Sequence, residues 1–545
     1  MYRIFGIIFL LCGVFSSGCF SSGKDAASRL RTQKACRCAA MDHHAWQQRD
    51  RGLTPRYGGN ITMRLESEPG QLLSMYSAHP AIIQMIDHDV LEALINLNPY
   101  TGEIAPELAR YWEIDKQRTS IVFYLNESAR WQDGEPFTAD DVVYTFKQLL
   151  DPAGGAIYRS KFEDIANVEA LTRYSVLFEL DHPRAGFLAD VSRVMILPEH
   201  LLKNTTVISN EYARDPIGTG PFKLREWESG QFITLERNSE WRGKAPYPDE
   251  IIYRVIPENR VAMDLFTAGT LDILTDTTDA APKGAVVVDF PQHLLNAWVF
   301  NTHTPFFADA KTRRAISRLI DRQAIACSIM KCLADPVYSP WPDMHIDTSS
   351  LTFSPKDARK LLIAAGWEDA NRDGILDRQG VPFKFSLLVP DTDMTGHRAV
   401  AVIVHDLRKV GIEVNTTIVS WAVYTDRLRS HRFDASILAV SIARPFDAAE
   451  LFQSDGIESG RNFGGFKDRQ IDRLFQRFGT EKNFHTREAL QQKIAERLVL
   501  TQPMAFTVYP YQRMLVQPLI HGIEIGGTGI VERHLWQMAP PGGQQ

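Results

Sequence analysis

Oxygen-bearing side chains recur in Asp369-Ala370-Asn371-Arg372-Asp373-Gly374-Ile375-Leu376-Asp377 at the first, third, fifth and ninth places, with glycine at the sixth. That is the spacing of half an EF-hand loop, which wraps calcium in oxygen ligands. The twelfth place holds Gly380 where a bidentate glutamate closes such a site. The string therefore reads either as a calcium loop through Asp369, Asn371, Asp373 and Asp377 or as an Asp/Asn/Gly turn. Soft and imidazole ligands come together in Cys36-Arg37-Cys38 and His43-His44, a combination that can hold a metal. Their spacing matches no closed zinc site, so a disulfide partner or a bare thiol is the other reading. Cys327 and Cys332 are five residues apart. In an unbroken helix their Cα atoms would exceed the bonding limit of about 7 Å; if the helix ends between them they can pair, as an oxidising compartment would favour. Asp181-His182-Pro183 places an acid beside a base, but such a cluster is usually a turn. Gly218-Thr219-Gly220 has too few glycines for a phosphate cradle and no helix directly after it. The chain contains no Gly-x-Ser-x-Gly elbow, no His-Glu-x-x-His and no Walker loop, leaving only a triad assembled from distant residues as a route to catalysis.

The positioning elements have ample chain to draw on. The 545 residues are 44% hydrophobic and 23% charged, with a formal net charge of -6. This is a globular composition long enough for two or more cores. An overall negative balance argues against a nucleic-acid binder, whose affinity rests on neutralising phosphates. Residues 1–19 read as an export signal, with Arg3 as the basic start and Ile4 to Phe15 as an apolar run too short to span a bilayer comfortably. Ser16-Ser17-Gly18-Cys19 then resembles a lipobox in which Cys19 is lipidated, with Ser16 where leucine is usual; an ordinary small-residue cleavage site is the alternative. Residues 20–56 are small and polar and read as a flexible tether.

From Gly58 onward, strand and helix patterns alternate. Ile61, Met63 and Leu65 have the period of a strand, and Val90, Leu91, Leu94 and Ile95 that of a helix face. Ile121, Phe123 and Leu125 alternate again, Asp133-Gly134 turns the chain, and Thr138 with Asp140 and Asp141 caps a helix whose inner face is Val142, Val143, Phe146, Leu149 and Leu150. Val176, Phe178 and Leu180 form a strand. Phe222 and Leu224 face Ile233 and Leu235 in a hairpin turned at Ser229-Gly230. Ala315, Ile316, Leu319 and Ile320 make a helix face with Lys311, Arg313, Arg314 and Arg318 in water. Ser354-Pro355 starts a helix that Gly366 stops. A helix to Val410, a strand from Ile412 to Ile418, a helix around Tyr424 and Leu428 and a strand from Ala435 to Ile442 follow. A last helix around Ile494 and Leu498 precedes a strand near Phe506 to Tyr509. This order is α/β.

Several of these stretches resemble one family. Trp131-x-Asp133-Gly134-x-Pro136-Phe137-Thr138-Ala139-x-Asp141-Val142 is similar to the signature of the family 5 extracellular solute-binding proteins, the dipeptide- and oligopeptide-binding receptors of bacterial ABC importers. Gly102 to Glu113, Gly218 to Phe222, Arg237 to Gly243, Phe266 to Asp272, and Asn301-Thr302-x-x-Pro305-Phe306 with Arg313-Arg314-Ala315-Ile316-x-x-x-Ile320-Asp321-Arg322 continue the likeness. The resemblance implies an α/β, two-lobed periplasmic-binding-protein fold with an extra inserted domain, type II, of the large peptide-binding class. Domain I would comprise 57–89, 204–297 and 505–545 with the tail, domain II 90–203 and domain III 298–504. A peptide or related small solute would be held between the lobes, which close around it, and an ABC permease would recognise the closed form. It further implies a monomer held at the membrane by its N-terminal lipid, with no cofactor and no chemical change to the cargo; a non-peptide solute, a chemosensory output and a hydrolase are the alternatives.

Ile412 to Trp421 resembles the stretch that supplies a cleft aromatic, which assigns Trp421 to the ligand, a core tryptophan being the other reading. Phe433-Asp434 resembles the start of the strand that runs on to an aspartate gripping the ligand's amino group. Here that strand passes through Ala439 and Val440, and the aspartate position falls on Ala443, or on Arg444 if the register slips by one. Val440, Ala443 and Arg444 are therefore expected at the ligand without the usual carboxylate. Losing such an anion removes a charge-assisted contact of roughly 1.5 to 3 kcal/mol. Arg444, if it faces the cleft, suits a carboxylate or phosphate; otherwise it is solvated.

Overall fold

The computed structural model describes residues 49–537 apart from Arg51, Ala78, 98–103, Ala185, 206–210, Asp276, His293, Asp343, 392–393, 442–446, 458–460, Lys482 and 526–530. Cys19, the Cys36, Cys38, His43 and His44 group, Ala443 and Arg444 lie outside the described residues.

The alternation of Ile61, Met63 and Leu65 becomes the strand Asn60–Leu65, paired in parallel with Glu250–Val255. It belongs to a twelve-stranded sheet among the described residues. The main path of that sheet runs Glu413–Val419, Lys384–Pro390, Ala435–Ser441, Leu294–Phe300, Met504–Val516, Ile273–Leu274, Asn60–Leu65, Glu250–Val255, Phe232–Arg237 and Phe222–Glu228. Val286–Pro291 and Ala334–Pro336 add to the Met504–Val516 strand. A separate four-stranded antiparallel sheet is ordered Ala109–Ile114, Ser120–Leu125, Ser175–Leu180, Ile165–Thr172. Helix Ala139–Leu150 packs on it, Phe146 meeting Phe178 edge to face at 4.7 Å. That helix starts where its cap is written: Asp141 accepts the Thr138 N–H at 2.9 Å.

Buried apolar side chains separate into cores that share no residue across two points of the chain. One core runs from Ile61 to Phe290 and resumes from Met514 to Leu535, with a small satellite around Phe266 and Leu515. Two others are drawn entirely from Leu295 to Val508. The chain therefore passes between two lobes at 290–295 and again at 508–514. Both passages lie in one antiparallel ribbon: Met504–Val516 pairs first with Leu294–Phe300 and then with Val286–Pro291. Within it Asp289 and Arg513 stand opposite each other, and the guanidinium donates to both carboxylate oxygens at 2.7 Å.

Several of the matched motifs meet in one knot on the first lobe. Arg242 grips Glu92 with two bonds of 2.6 and 2.8 Å and reaches the Glu107 carbonyl at 3.2 Å. Gln132 Oε1 accepts the Gly218 N–H at 3.0 Å, and Gln132 Nε2 donates to the Phe222 carbonyl at 2.6 Å. Asn238 Nδ2 donates to the Gly220 carbonyl at 2.9 Å. Gly218 and Gly220 are required by close approach: a Cβ would lie 1.7 Å from the Val90 carbonyl oxygen at the first and 2.3 Å from that of Asp89 at the second.

Four expectations change. Residues 90–95 form no helix: Val90 lies in a turn and Ile95 opens a short strand, because the Asp89 and Val90 carbonyls are taken by the N–H groups of Phe222 and Gly220. Arg313 is not solvated. It is 4% exposed and donates to the carbonyls of Thr501, Gln502, Phe307 and Ala308, which closes the carboxyl end of helix Phe484–Thr501. The strand expected near Phe506 to Tyr509 is thirteen residues long, running through Pro510. Cys327 and Cys332 do not pair. Cys327 keeps its thiol beside Gln323 at 2.9 Å, whereas Cys332 is disulfide-bonded elsewhere. The helix does end between them, through a π turn at Ile325–Ile329 and two successive left-handed residues, Lys331 and Cys332, and that turn sets Cys332 on a different course.

Around the knot lies a buried acidic group. Burial raises the Asp87 carboxyl to about 7, partly offset by the charge of His88. Burial also raises Asp89, Glu92 and Glu532; Glu532 is raised further by the charge of Asp89, to which it is hydrogen-bonded, and Tyr253 donates to it at 2.9 Å. Arg533 acts on Asp89 and Arg242 on Glu92 in the opposite sense. Burial disfavours the charged His88 ring, but Glu107 at 2.9 Å outweighs it and lifts the ring to about 9. Every one of these net shifts favours the protonated group in the folded state, so stability must fall as pH rises. For the carboxyls the loss begins near the unfolded value of about 4 and for Asp87 continues through about 7. For His88 it runs from about 6.5 to about 9.

Thermal melts between about pH 5 and about pH 8.5 are therefore expected to show Tm falling by several degrees; a flat or rising profile would contradict a protonated cluster. Substituting Arg513→Ala removes both guanidinium bonds from the Asp289 carboxylate, whose side chain is 4% exposed. Urea denaturation should report a loss of about 3 kcal/mol, and a loss below about 0.5 kcal/mol would mean that solvent already screens the pair.

Candidate functional site

Three neighbouring strands of the second lobe, Glu413–Val419, Lys384–Pro390 and Ala435–Ser441, run parallel. Their carboxyl ends therefore share one edge, and ligands of open α/β sheets bind outside such an edge. Leu294–Phe300 runs antiparallel to them, with Leu294 opposite Ser441. Leu294 directly follows the first passage between the lobes, so this edge adjoins that passage.

Trp421 stands there. It is the first residue of helix Trp421–Arg429, immediately after the strand ending at Val419, and is 57% exposed. Its indole stacks on Tyr424 at 5.3 Å, and Tyr424 is in turn fixed by donating its hydroxyl to the Ile437 carbonyl at 2.5 Å. The core reading of Trp421 is thus excluded. Exposed Ile418 and Val423 extend the apolar surface around it. Val440 differs from expectation. It is 5% exposed, lies opposite Leu295 and packs into the core behind the sheet. Neighbouring side chains of a strand point to opposite faces, and the exposed position next to it is Ala439.

The first lobe reaches towards the second through charged side chains. Lys161 lies 3.6 Å from Asp190. Burial holds its ammonium below the usual pKa, with the charges of Asp190 and Arg193 acting from its own lobe and those of Arg461 and Glu450 from the second. Lys331 of the second lobe donates to the Thr278 hydroxyl of the first at 3.1 Å. Tyr511, on the connecting ribbon, donates to Asp335 at 2.8 Å.

The remaining candidates lie apart from this edge. In the calcium-like loop the acidic oxygens accept its own N–H groups: Asp369 from Gly374 at 3.1 Å, Asp373 from Ile375 at 2.8 Å, and Asp377 from Ala370 at 3.1 Å. Asn371 takes the Asp373 N–H at 3.0 Å. Arg372 and Gly374 adopt positive φ to close the turn. Among the described residues no group of three or more His, Cys, Asp or Glu is arranged to hold a metal ion. Asp181-His182-Pro183 is an exposed bend. No described helix is long and apolar enough to cross a membrane. Leu294 went unnoticed in the sequence, and Ala439 and Tyr424 were read only as members of a strand and a helix, because membership of the edge depends on strand order and not on any local pattern.

Comparison with known proteins agrees with this geometry. Residues 103–461 match the family described as bacterial extracellular solute-binding proteins, family 5 Middle. The chain is 29% identical over 495 residues to the oligopeptide-binding protein AppA of Bacillus subtilis (strain 168), covering 86% of this chain and 89% of that protein. The solved structure of AppA from Bacillus subtilis in complex with a nonapeptide aligns with a TM-score of 0.69 at 26% identity, over 89% of this chain and all 100% of the other. HbpA2 from Haemophilus parasuis shares the fold, with a TM-score of 0.78 at 18% identity over 88% of this chain and 100% of that one. With its cores divided between two lobes, a ribbon joining them and a family match over most of its length, the chain belongs to the bacterial extracellular solute-binding proteins, family 5, and has their two-lobed α/β fold.

Proposed function

We propose that this protein captures a peptide, or a related small solute, between its lobes and delivers it unchanged to an ABC permease in the membrane. The observation that carries the reading is the partition of the core into lobes joined, among the described residues, along the antiparallel ribbon built on Met504–Val516. Such a joint allows one lobe to rotate against the other while each interior stays intact. AppA of Bacillus subtilis, named for oligopeptides and solved with a nonapeptide, supports peptides as the cargo. A cargo bridging the lobes stabilises the closed form by the contacts it makes only there.

Within this reading Trp421 packs on the ligand, and Ala443 and Arg444 take part in binding it. Domain I is assigned to 57–89, 204–297 and 505–545, domain II to 90–203 and domain III to 298–504. The distribution of buried residues supports only the separation of domain III from the other two, which share one core; the ribbon strands contribute to both sides, Leu295, Ala297 and Ala505 to Val508 packing on the second lobe. Residues 1–19 serve as a signal, Cys19 carries the lipid, and 20–56 tether a monomer to the envelope. The absence of familiar catalytic strings and a family of solute-binding proteins support binding without turnover.

A thermal-shift screen of the leaderless chain against di- to pentapeptides, amino-blocked peptides and anionic solutes tests the cargo. A ligand at ~100 times its Kd should add about 2.7 kcal/mol to stability. Shifts with peptides support the reading with peptide as the cargo, and shifts with the anionic solutes alone make the cargo a related small solute; no shift with any of them, or product formed from the ligand, would overturn it. Trp421→Ala should weaken the peptide found in this way by about tenfold or more with the melting temperature of the empty protein nearly unchanged, since the exposed indole contributes little to the fold. An unchanged Kd, measured by titration calorimetry, would remove Trp421 from the site.

A further inference from the structure

A cavity of about 30 Å³ opens in the second lobe between the sheet and helix Met394–Lys409. Its floor is apolar and buried, formed by Trp298, Ile325, Ile403, Ile437 and Val508. Its mouth is not: Thr395 is exposed, and Gly396 and Ala399 are half-buried. The mouth therefore lies at the start of the helix that follows Pro390. Pro390 pairs with Val419, two residues before Trp421, which places the cavity on the same edge of the sheet as the exposed indole. Asn296 and Thr507 supply polar lining, but the Thr507 hydroxyl already donates to the Asn296 carbonyl at 2.8 Å, and among the described residues no charged side chain lines the cavity.

A water needs about 10 to 15 Å³ in this measure, so the space suits about two or three non-hydrogen atoms. An apolar hollow of that kind gains little from water, which needs two to four polar partners, and gains dispersion contacts from a hydrocarbon group. The branched end of a valine or leucine side chain has the right size. A methyl group leaves it part empty and a phenyl ring exceeds it. We propose that this cavity is a specificity pocket that seats one small branched aliphatic side chain of the cargo; the inference rests on the peptide-capture reading above.

Titration calorimetry of the leaderless chain tests it with tri- to pentapeptides in which each position in turn is alanine, valine, leucine or phenylalanine. One position should prefer valine or leucine over alanine and phenylalanine by about tenfold or more, the scale on which a hydrophobic pocket separates substrates by a methylene group. Ala399→Leu, which narrows the mouth, should flatten that preference. Ile403→Ala, which deepens the floor, should admit phenylalanine, and it provides an independent reading if the first variant does not fold. Peptides that bind with no positional preference, or a preference that both variants leave intact, would overturn the pocket alone. Failure of every peptide to bind the unaltered protein would overturn peptide capture and the pocket together.

Discussion

The antiparallel ribbon of Val286–Pro291 and Leu294–Phe300 against Met504–Val516 is the constraint on which the rest of the molecule depends. Backbone hydrogen bonds continue along it from one lobe to the other, while the apolar cores stop on either side. A shared core would weld the lobes together; a covalent ribbon with no common interior keeps them in register and leaves rotation about the strands inexpensive. The Asp289–Arg513 pair sits on this ribbon. Its bidentate geometry holds the two strands against sliding, because a shift of one residue would part both bonds and leave two buried charges.

Several of the motifs that resemble the family serve the first lobe rather than the ligand edge. Gly218, Gly220, Gln132, Asn238, Arg242 and Glu92 close on one another around the Asp89 to Val90 backbone. Such a knot tolerates few substitutions, since each glycine meets backbone and each polar group has a dedicated partner. The edge near Trp421 is built differently, from strand ends, an exposed indole and a shallow apolar hollow. Those features can vary without disturbing the scaffold, which suits a framework adapted to many cargoes.

Buried guanidinium groups recur where loops and helix ends leave carbonyls without partners. Arg64 donates to Ile256 and Pro257, Arg313 to the end of helix Phe484–Thr501, and Arg322 to Ser317, Val337 and Phe506. Burial lowers the pKa of Arg313 and of Arg322 to about 10, still well above neutrality, so both remain charged. Five fixed donors allow one side chain to satisfy several acceptors at once. As single letters these arginines are indistinguishable from solvated ones, which is why Arg313 was read as part of a wet face.

Local sequence determined the elements whose causes are local. The cap at Thr138 and Asp141, the hairpin at Gly230, the helix from Ser354 to Gly366 and the alternation of Ile121, Phe123 and Leu125 all depend on residues within one or two turns of each other, and the family strings added the two-lobed plan. The tertiary structure alone decided what depends on distant partners. It kept residues 90–95 out of a helix by giving their carbonyls to Gly220 and Phe222, carried the last strand through Pro510, and turned Cys332 away from Cys327. It also exposed Trp421 while burying Val440, a difference set by which strand faces the passage between the lobes and by the two-residue period of that strand. Propensity and spacing act over a few residues, whereas burial and strand neighbours are fixed by contacts hundreds of residues apart, and no single stretch of sequence contains both sides of such a contact.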